Sequence, residues 1–150
     1  MTTAPSTYAL RLSDDIDVAR GDLIAAAAQA PEPTRDLVAT LCWLSDVPLS
    51  KKSRLLLKHT TRTTRTVIGA VDGVLDLDSV QVVPGDDLQL NDIGRVRLRT
   101  AEPIVAEPYA RHRRTGAFLL IDSQSGQTLA AGMIGDPLAG KAEHADDWDI

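Results

Sequence analysis

Twelve of the sixteen lysines and arginines of this chain fall into two groups: Lys51, Lys52, Arg54, Lys58, Arg62 and Arg65, then Arg95, Arg97, Arg99, Arg111, Arg113 and Arg114. Cationic groups gathered in this way can meet an acidic protein, a phosphate or RNA. Spread along strands, the same residues would face solvent and pair with neighbouring carboxylates. Lys58, His59, Arg62, Arg95, Arg97, Arg99, Arg111, Arg113 and Arg114 are the candidate partner-binding residues. His59, set among threonines, reads as a hydrogen-bonded strand histidine rather than a catalytic base.

No pattern supports chemistry on a substrate. A phosphate loop needs glycines leading to Lys-Ser or Lys-Thr, because backbone amides cradle the phosphates and the hydroxyl holds magnesium. The nearest stretch, Gly135 to Lys141, is followed by Ala142. His59, His112, His144 and Cys42 lack the close paired spacing of zinc ligands. Ser125 before Gly126 belongs to a turn, and no Gly-x-Ser-x-Gly occurs. Asp14-Asp15 and Asp86-Asp87 are sequence neighbours that point to opposite sides of an extended chain. No catalytic, cofactor-binding or metal-binding residue is assigned, and no cofactor is expected.

Composition narrows the partners. The 150 residues carry a formal net charge of -5, with 43% hydrophobic and 3% aromatic residues. That is a chain able to bury its own core, but acidic overall and poor in the stacking side chains that single-stranded nucleic acid favours. Nucleic acid is an unlikely partner on these grounds. Cys42, in the apolar run Leu41-Cys42-Trp43-Leu44, is expected as a buried, reduced thiol of a cytoplasmic protein. No stretch approaches the length of a membrane span, and residues 1–6 lack a secretion-signal pattern.

The elements that must position the basic residues are strands. Residues 37–44 form a short apolar run expected to be buried on both faces. In 54–61, Leu55, Leu57 and His59 share one face, and Leu56, Lys58 and Thr60 the other. A long Thr/Val-rich run, 63–77, is interrupted at Gly69 and Asp72-Gly73, where bulges are expected. Residues 80–83 add a short apolar patch. In 94–100, Val96 and Leu98 alternate with Arg95, Arg97 and Arg99. Residues 117–121 and 128–134 read as a hairpin around the turn 122–127. Before this lie a weakly alternating stretch, 8–24, with a turn signal at Arg20-Gly21-Asp22, and the Ala/Pro-rich stretch 25–35, read as a linker. Beyond 135 the chain turns acidic around Trp148, and an ordering contact there would rest on that indole.

Several motifs occur in a telling order: 15–22, Trp43, Pro48-Leu49, Leu57-Lys58-His59-Thr60-Thr61-Arg62-Thr63, Asn91-Asp92-Ile93-Gly94, Tyr109 with Arg113 and Thr115-Gly116, and Ala130-Ala131-Gly132-Met133-Ile134. This ordered set resembles the C-terminal region of the sulfate adenylyltransferase subunit 1 family, GTPase subunits of bacterial ATP sulfurylase that are similar in architecture to elongation factors Tu and 1-alpha. The resemblance covers about residues 8 to 134. It implies an all-β fold, a six-stranded antiparallel Greek-key barrel like domain III of translation factors at 36–135. It further implies a remnant strand of a preceding barrel, which with the Ala/Pro linker makes up 1–35, while the acidic composition of 136–150 leads to the expectation of a disordered tail.

The family's GTP site lies in a domain absent from this chain, so no nucleotide-binding residue carries over. The resemblance implies a non-catalytic barrel module supporting sulfate activation through contacts with a sulfate adenylyltransferase small subunit or a separate GTPase domain. Asn91, Gly94, Thr115 and Gly116 are the structural motif residues. The stretch 8–24 is expected either to add to a barrel edge or to mediate self-association. An RNA-binding translation-factor-like barrel and a standalone protein-interaction module are the alternative readings.

Overall fold

The computed structural model describes residues 6–49 and 53–136. Seven strands are formed: β1 (Thr34–Trp43), β2 (Leu55–His59), β3 (Arg62–Asp76), β4 (Gln81–Val83), β5 (Ile93–Ile104), β6 (Ala117–Asp122) and β7 (Thr128–Ile134). Six of them close into an antiparallel barrel. β2 pairs with β6, β6 with β7, β7 with β1, β1 with β5, and β5 with β3, and β3 returns to β2 to complete the ring. β2, β3 and β5 are consecutive antiparallel neighbours with β1 beside β5, the Greek-key arrangement. β4 lies outside the ring, against the far end of β3.

Period-two alternation fills the interior. On β2, Leu55, Leu57 and His59 are buried while Lys58 is exposed. On β5, Val96 and Leu98 point inward and Arg97 and Arg99 outward. Trp43, Leu41, Leu57, Val96, Leu120 and Phe118 belong to the packed centre. β3 serves three neighbours in turn and must bend to do so. Its register shifts between Ile68 and Ala70 and again between Val71 and Gly73, at the two interruptions anticipated from the sequence. The β6–β7 hairpin is also as expected. Its turn is held by Asp122, whose carboxylate accepts from the Ser125 hydroxyl at 2.6 Å and the Gln124 amide at 3.1 Å. Those two donors lower the Asp122 pKa from its ordinary value. Asp76 plays the same part between β3 and β4, its pKa lowered first by the Ser79 amide and hydroxyl, then by the Asp78 amide.

Three expectations are corrected. β1 is not buried on both faces: Leu37, Ala39, Leu41 and Trp43 point inward, whereas Val38 is 47% exposed. Cys42 accordingly lies half-buried on the outer side, not in the core. The stretch 8–24 forms no strand. Ring closure uses both edges of the barrel strands, so no edge is left beside this stretch for it to join. It contains a bend where the Ile16 amide donates to the Asp14 carbonyl at 3.0 Å, and the turn at Gly21, where the Asp22 amide donates to the Ala19 carbonyl at 3.1 Å. The following stretch makes a single 3-10 turn at Ala27–Gln29. The expected tail beyond 136, with Trp148, lies outside the described residues, as do Lys51 and Lys52.

Candidate functional site

Four arginines of the strands, Arg62, Arg95, Arg97 and Arg99, are engaged within the chain, whereas Arg35 and Arg65 make no ion pair among the described residues. Arg97 on β5 donates to Asp72 of the β3 bulge at 2.7 Å, and Arg99 reaches Asp36 of β1 at 3.7 Å. Arg95 pairs with Asp136 beyond β7. Arg62, first residue of β3, acts as a clasp. Its Nε donates to the Gly21 carbonyl at 3.1 Å, and its terminal nitrogens reach Asp22 at 3.3 Å and Glu102 at 3.5 Å. The Gly21 amide adds a bond to the Thr61 hydroxyl at 3.1 Å. One arginine thereby holds the stretch before the barrel against the β2–β3 turn.

The loop between β5 and β6 is different. Arg111, Arg113 and Arg114 are all exposed there, and no carboxylate of the described residues pairs with any of them. The backbone around them is tightly fixed. The amides of Arg111 and His112 both donate to the Pro108 carbonyl at 3.0 Å, and the Gly116 amide donates to His112 at 2.7 Å. Tyr109 and Gly116 tie the loop to β7, through the Ile134 carbonyl at 3.0 Å and the Ile134 amide at 2.7 Å. A Cβ on Gly116 would stand 2.4 Å from the Tyr109 Cα, so only glycine lets the two ends of the loop approach this closely.

Thr115 secures the loop from below. Its hydroxyl donates to the Glu107 carboxylate, and its carbonyl lies 2.7 Å from Nε2 of His59. His59 is 3% exposed, and the carbonyl partner makes Nε2 the protonated nitrogen. It is a buttress under the arginine loop. Asn91, at φ 70, donates its amide to the Trp43 carbonyl at 2.8 Å and closes the other barrel end. Gly94 gives room to Leu88, whose Cδ2 would lie 2.4 Å from an added Cβ.

The two basic groups meet at one place. Arg65 of the first and Arg99 of the second line a shallow surface depression beside Val67, together with Arg35. Arg35 escaped the sequence reading because it sits alone just after the Pro-rich stretch, at the start of β1, and only the β1–β5 pairing carries it there. Lys58 instead faces the opposite neighbour, Leu119 of β6. Glu107, the carboxylate that anchors Thr115 and stands 3.6 Å from His112, was likewise invisible to motif reading. Among the described residues, no group of three or more His, Cys, Asp or Glu could hold a metal.

Residues 36–135 match the family described as GTP-eEF1A C-terminal domain-like. The bifunctional enzyme CysN/CysC of Mycobacterium tuberculosis (strain H37Rv) is 41% identical over 132 residues, 87% of this chain and 22% of that protein. Sulfate adenylyltransferase subunit 1 of Alteromonas mediterranea is 35% identical over 140 residues, 93% of this chain and 30% of that protein. The chain thus spans 22% to 30% of the length of these curated relatives. Among solved structures, sup35 complexed with GDP superimposes with a TM-score of 0.64 at 18% identity, over 73% of this chain and 27% of that one. That likeness speaks for the barrel fold alone.

Proposed function

The chain belongs to the GTP-eEF1A C-terminal domain-like family, and on that footing we propose that it is a non-catalytic barrel module of the sulfate adenylyltransferase subunit 1 type. It supports sulfate activation in the cytoplasm, the formation of adenylyl sulfate from ATP and sulfate, by docking onto a separate protein: a small adenylyl-transferring subunit or a GTPase domain. The observation that carries this reading is the 41% identity along 87% of the chain to a CysN/CysC enzyme. The geometry supports a docking role. The barrel interior is filled by apolar side chains, threonines and His59, and the fixed loop of Arg111, Arg113 and Arg114 offers cations that no carboxylate of the described residues pairs. An arginine fork suits a partner carboxylate.

Incubating the purified chain with GTP and measuring released phosphate tests the non-catalytic half; turnover above background refutes it. The docking half is tested by pull-down from a lysate of the source cells, where an adenylyl-transferring subunit or a GTPase domain is the expected prey. The stretch 8–24 is a second point of attachment in this reading. Tyr8, Leu10, Ile16, Val18 and Ile24 are all more than half exposed and pair with no strand, and self-association through them would cover this surface. Deleting residues 1–24 without change in solubility, stability or oligomer size counts against that role.

A further inference from the structure

Two neighbouring rungs of the barrel's outer face build a trough. Along the first, Lys58 of β2 stands beside Leu119 of β6, then come Ala131 of β7, Cys42 of β1 and Ile93 of β5. Along the second run Ala117, Met133, Thr40 and Arg95. The small side chains of Ala131, Cys42 and Ala117 leave a depression of about 480 Å³, bounded by Lys58, Leu119, Ile93 and Met133 and walled on one side by Tyr109. Five strands at about 4.8 Å spacing make it about 19 Å long, the span of five or six residues of extended chain at about 3.3 Å each.

Its chemistry is uneven. The floor is apolar, but Thr40, 2% exposed, lines it, and its hydroxyl makes no hydrogen bond within the described residues. The rim is cationic. Lys58 closes one end, and the loop that supplies Tyr109 also carries Arg111, Arg113 and Arg114.

We propose that this trough is the docking groove for a linear protein segment whose apolar side chains are flanked by carboxylates. The proposal rests on the docking-module reading and adds the face and the partner chemistry. Apolar side chains enter over Ala131 and Cys42, and the flanking carboxylates meet the arginine loop and Lys58. Nucleic acid suits the groove poorly, since Tyr109 is its lone base-stacking platform apart from the inward-turned Phe118.

The test is fluorescence anisotropy of the full chain with a short labelled peptide of leucines flanked by aspartates. The controls are a peptide with lysines in place of the aspartates, a leucine-free aspartate peptide, and transfer RNA. The aspartate-leucine peptide is expected to bind at least about tenfold tighter than either control peptide, and to weaken with salt. Ala131→Glu, at an exposed position, and Lys58→Glu are each expected to weaken it about tenfold with the thermal transition retained. Equal binding of the lysine peptide, no binding of any peptide, or salt-steep binding of transfer RNA alone overturns the proposal. A pull-down that still recovers the partner with the Ala131→Glu and Lys58→Glu variants would refute this groove while leaving the docking module intact. Loss of recovery by the unaltered chain would refute the module itself.

Discussion

Replacing Gly116 by alanine adds one methyl group at a place with no room for it. The new Cβ would lie 2.4 Å from the Tyr109 Cα, 2.6 Å from the Tyr109 amide nitrogen and 2.6 Å from the His112 carbonyl oxygen. All three neighbours are backbone, so no side chain can rotate away, and the cost falls at the upper end of overpacking, about 3 kcal/mol. Relief requires the two loop ends to separate. That strains the Gly116–His112 bond at 2.7 Å and the Tyr109–Ile134 bond at 3.0 Å, each worth about 0.5–1.5 kcal/mol. The expected loss is therefore about 4 to 6 kcal/mol, a large share of the roughly 5–15 kcal/mol that holds a domain together. Gly126→Ala is the matched control. Gly126 has φ +73 and nothing within 4 Å of an added Cβ, so it pays only for left-handed backbone, about 1–2 kcal/mol. Urea unfolding of both variants, followed by circular dichroism, measures the difference. A Gly116→Ala protein within about 1 kcal/mol of the parent, or less affected than Gly126→Ala, would refute the close-approach argument.

Leu57→Ala, at a position with 0% exposure, is expected to cost about 2–5 kcal/mol in the same assay; a loss under about 1 kcal/mol would mean the barrel centre is not packed around β2. Arg62→Ala removes the clasp on Gly21 and Asp22, but its ion pairs are part-exposed, so global stability should fall by no more than about 1 kcal/mol. Limited proteolysis should nonetheless speed up around Arg20, and unchanged cleavage there would count against the clasp. Asp76 and Asp122 have folded pKa values below the ordinary 3.8. Their stabilisation is complete above that value and is lost as pH falls through the folded values. Carbon NMR titration should give both carboxyls midpoints below 3.8, and a midpoint at or above it would remove the hydrogen-bond account of these turns.

Where side-chain order along the chain is itself the physical cause, the fold could be read directly. Alternation around Val96 and Leu98 made β5 legible, and the glycines at 69 and 73 marked the bends of β3. The two-residue turn Thr60-Thr61 was missed. Thr60 takes φ 52, a conformation that threonine does not advertise. Residues 8–24 alternate like a strand, yet a strand needs a free edge, and edges are decided by pairings distant in sequence. Val38 and Cys42 are as apolar as their inward neighbours, so the outer face of β1 could not be told from the inner one. The candidate site divides in the same way. Arg95, Arg97 and Arg99 were found as a row, but their carboxylates, Asp136, Asp72 and Asp36, come from elsewhere in the chain, and only tertiary pairing separates engaged arginines from those of the β5–β6 loop.

The ring is sealed late. Of its six seams, β2–β6, β6–β7 and β7–β1 all depend on the hairpin at 117–134, so the first two strands each wait for a neighbour from the last fifth of the barrel sequence. A ribosome that has delivered residues only as far as β5 has produced an open sheet, with the free sides of β1 and β2 exposed to any other nascent strand. Synthesis at about 5–20 residues per second makes that interval last on the order of a second or more, the period in which a chaperone would have most to protect.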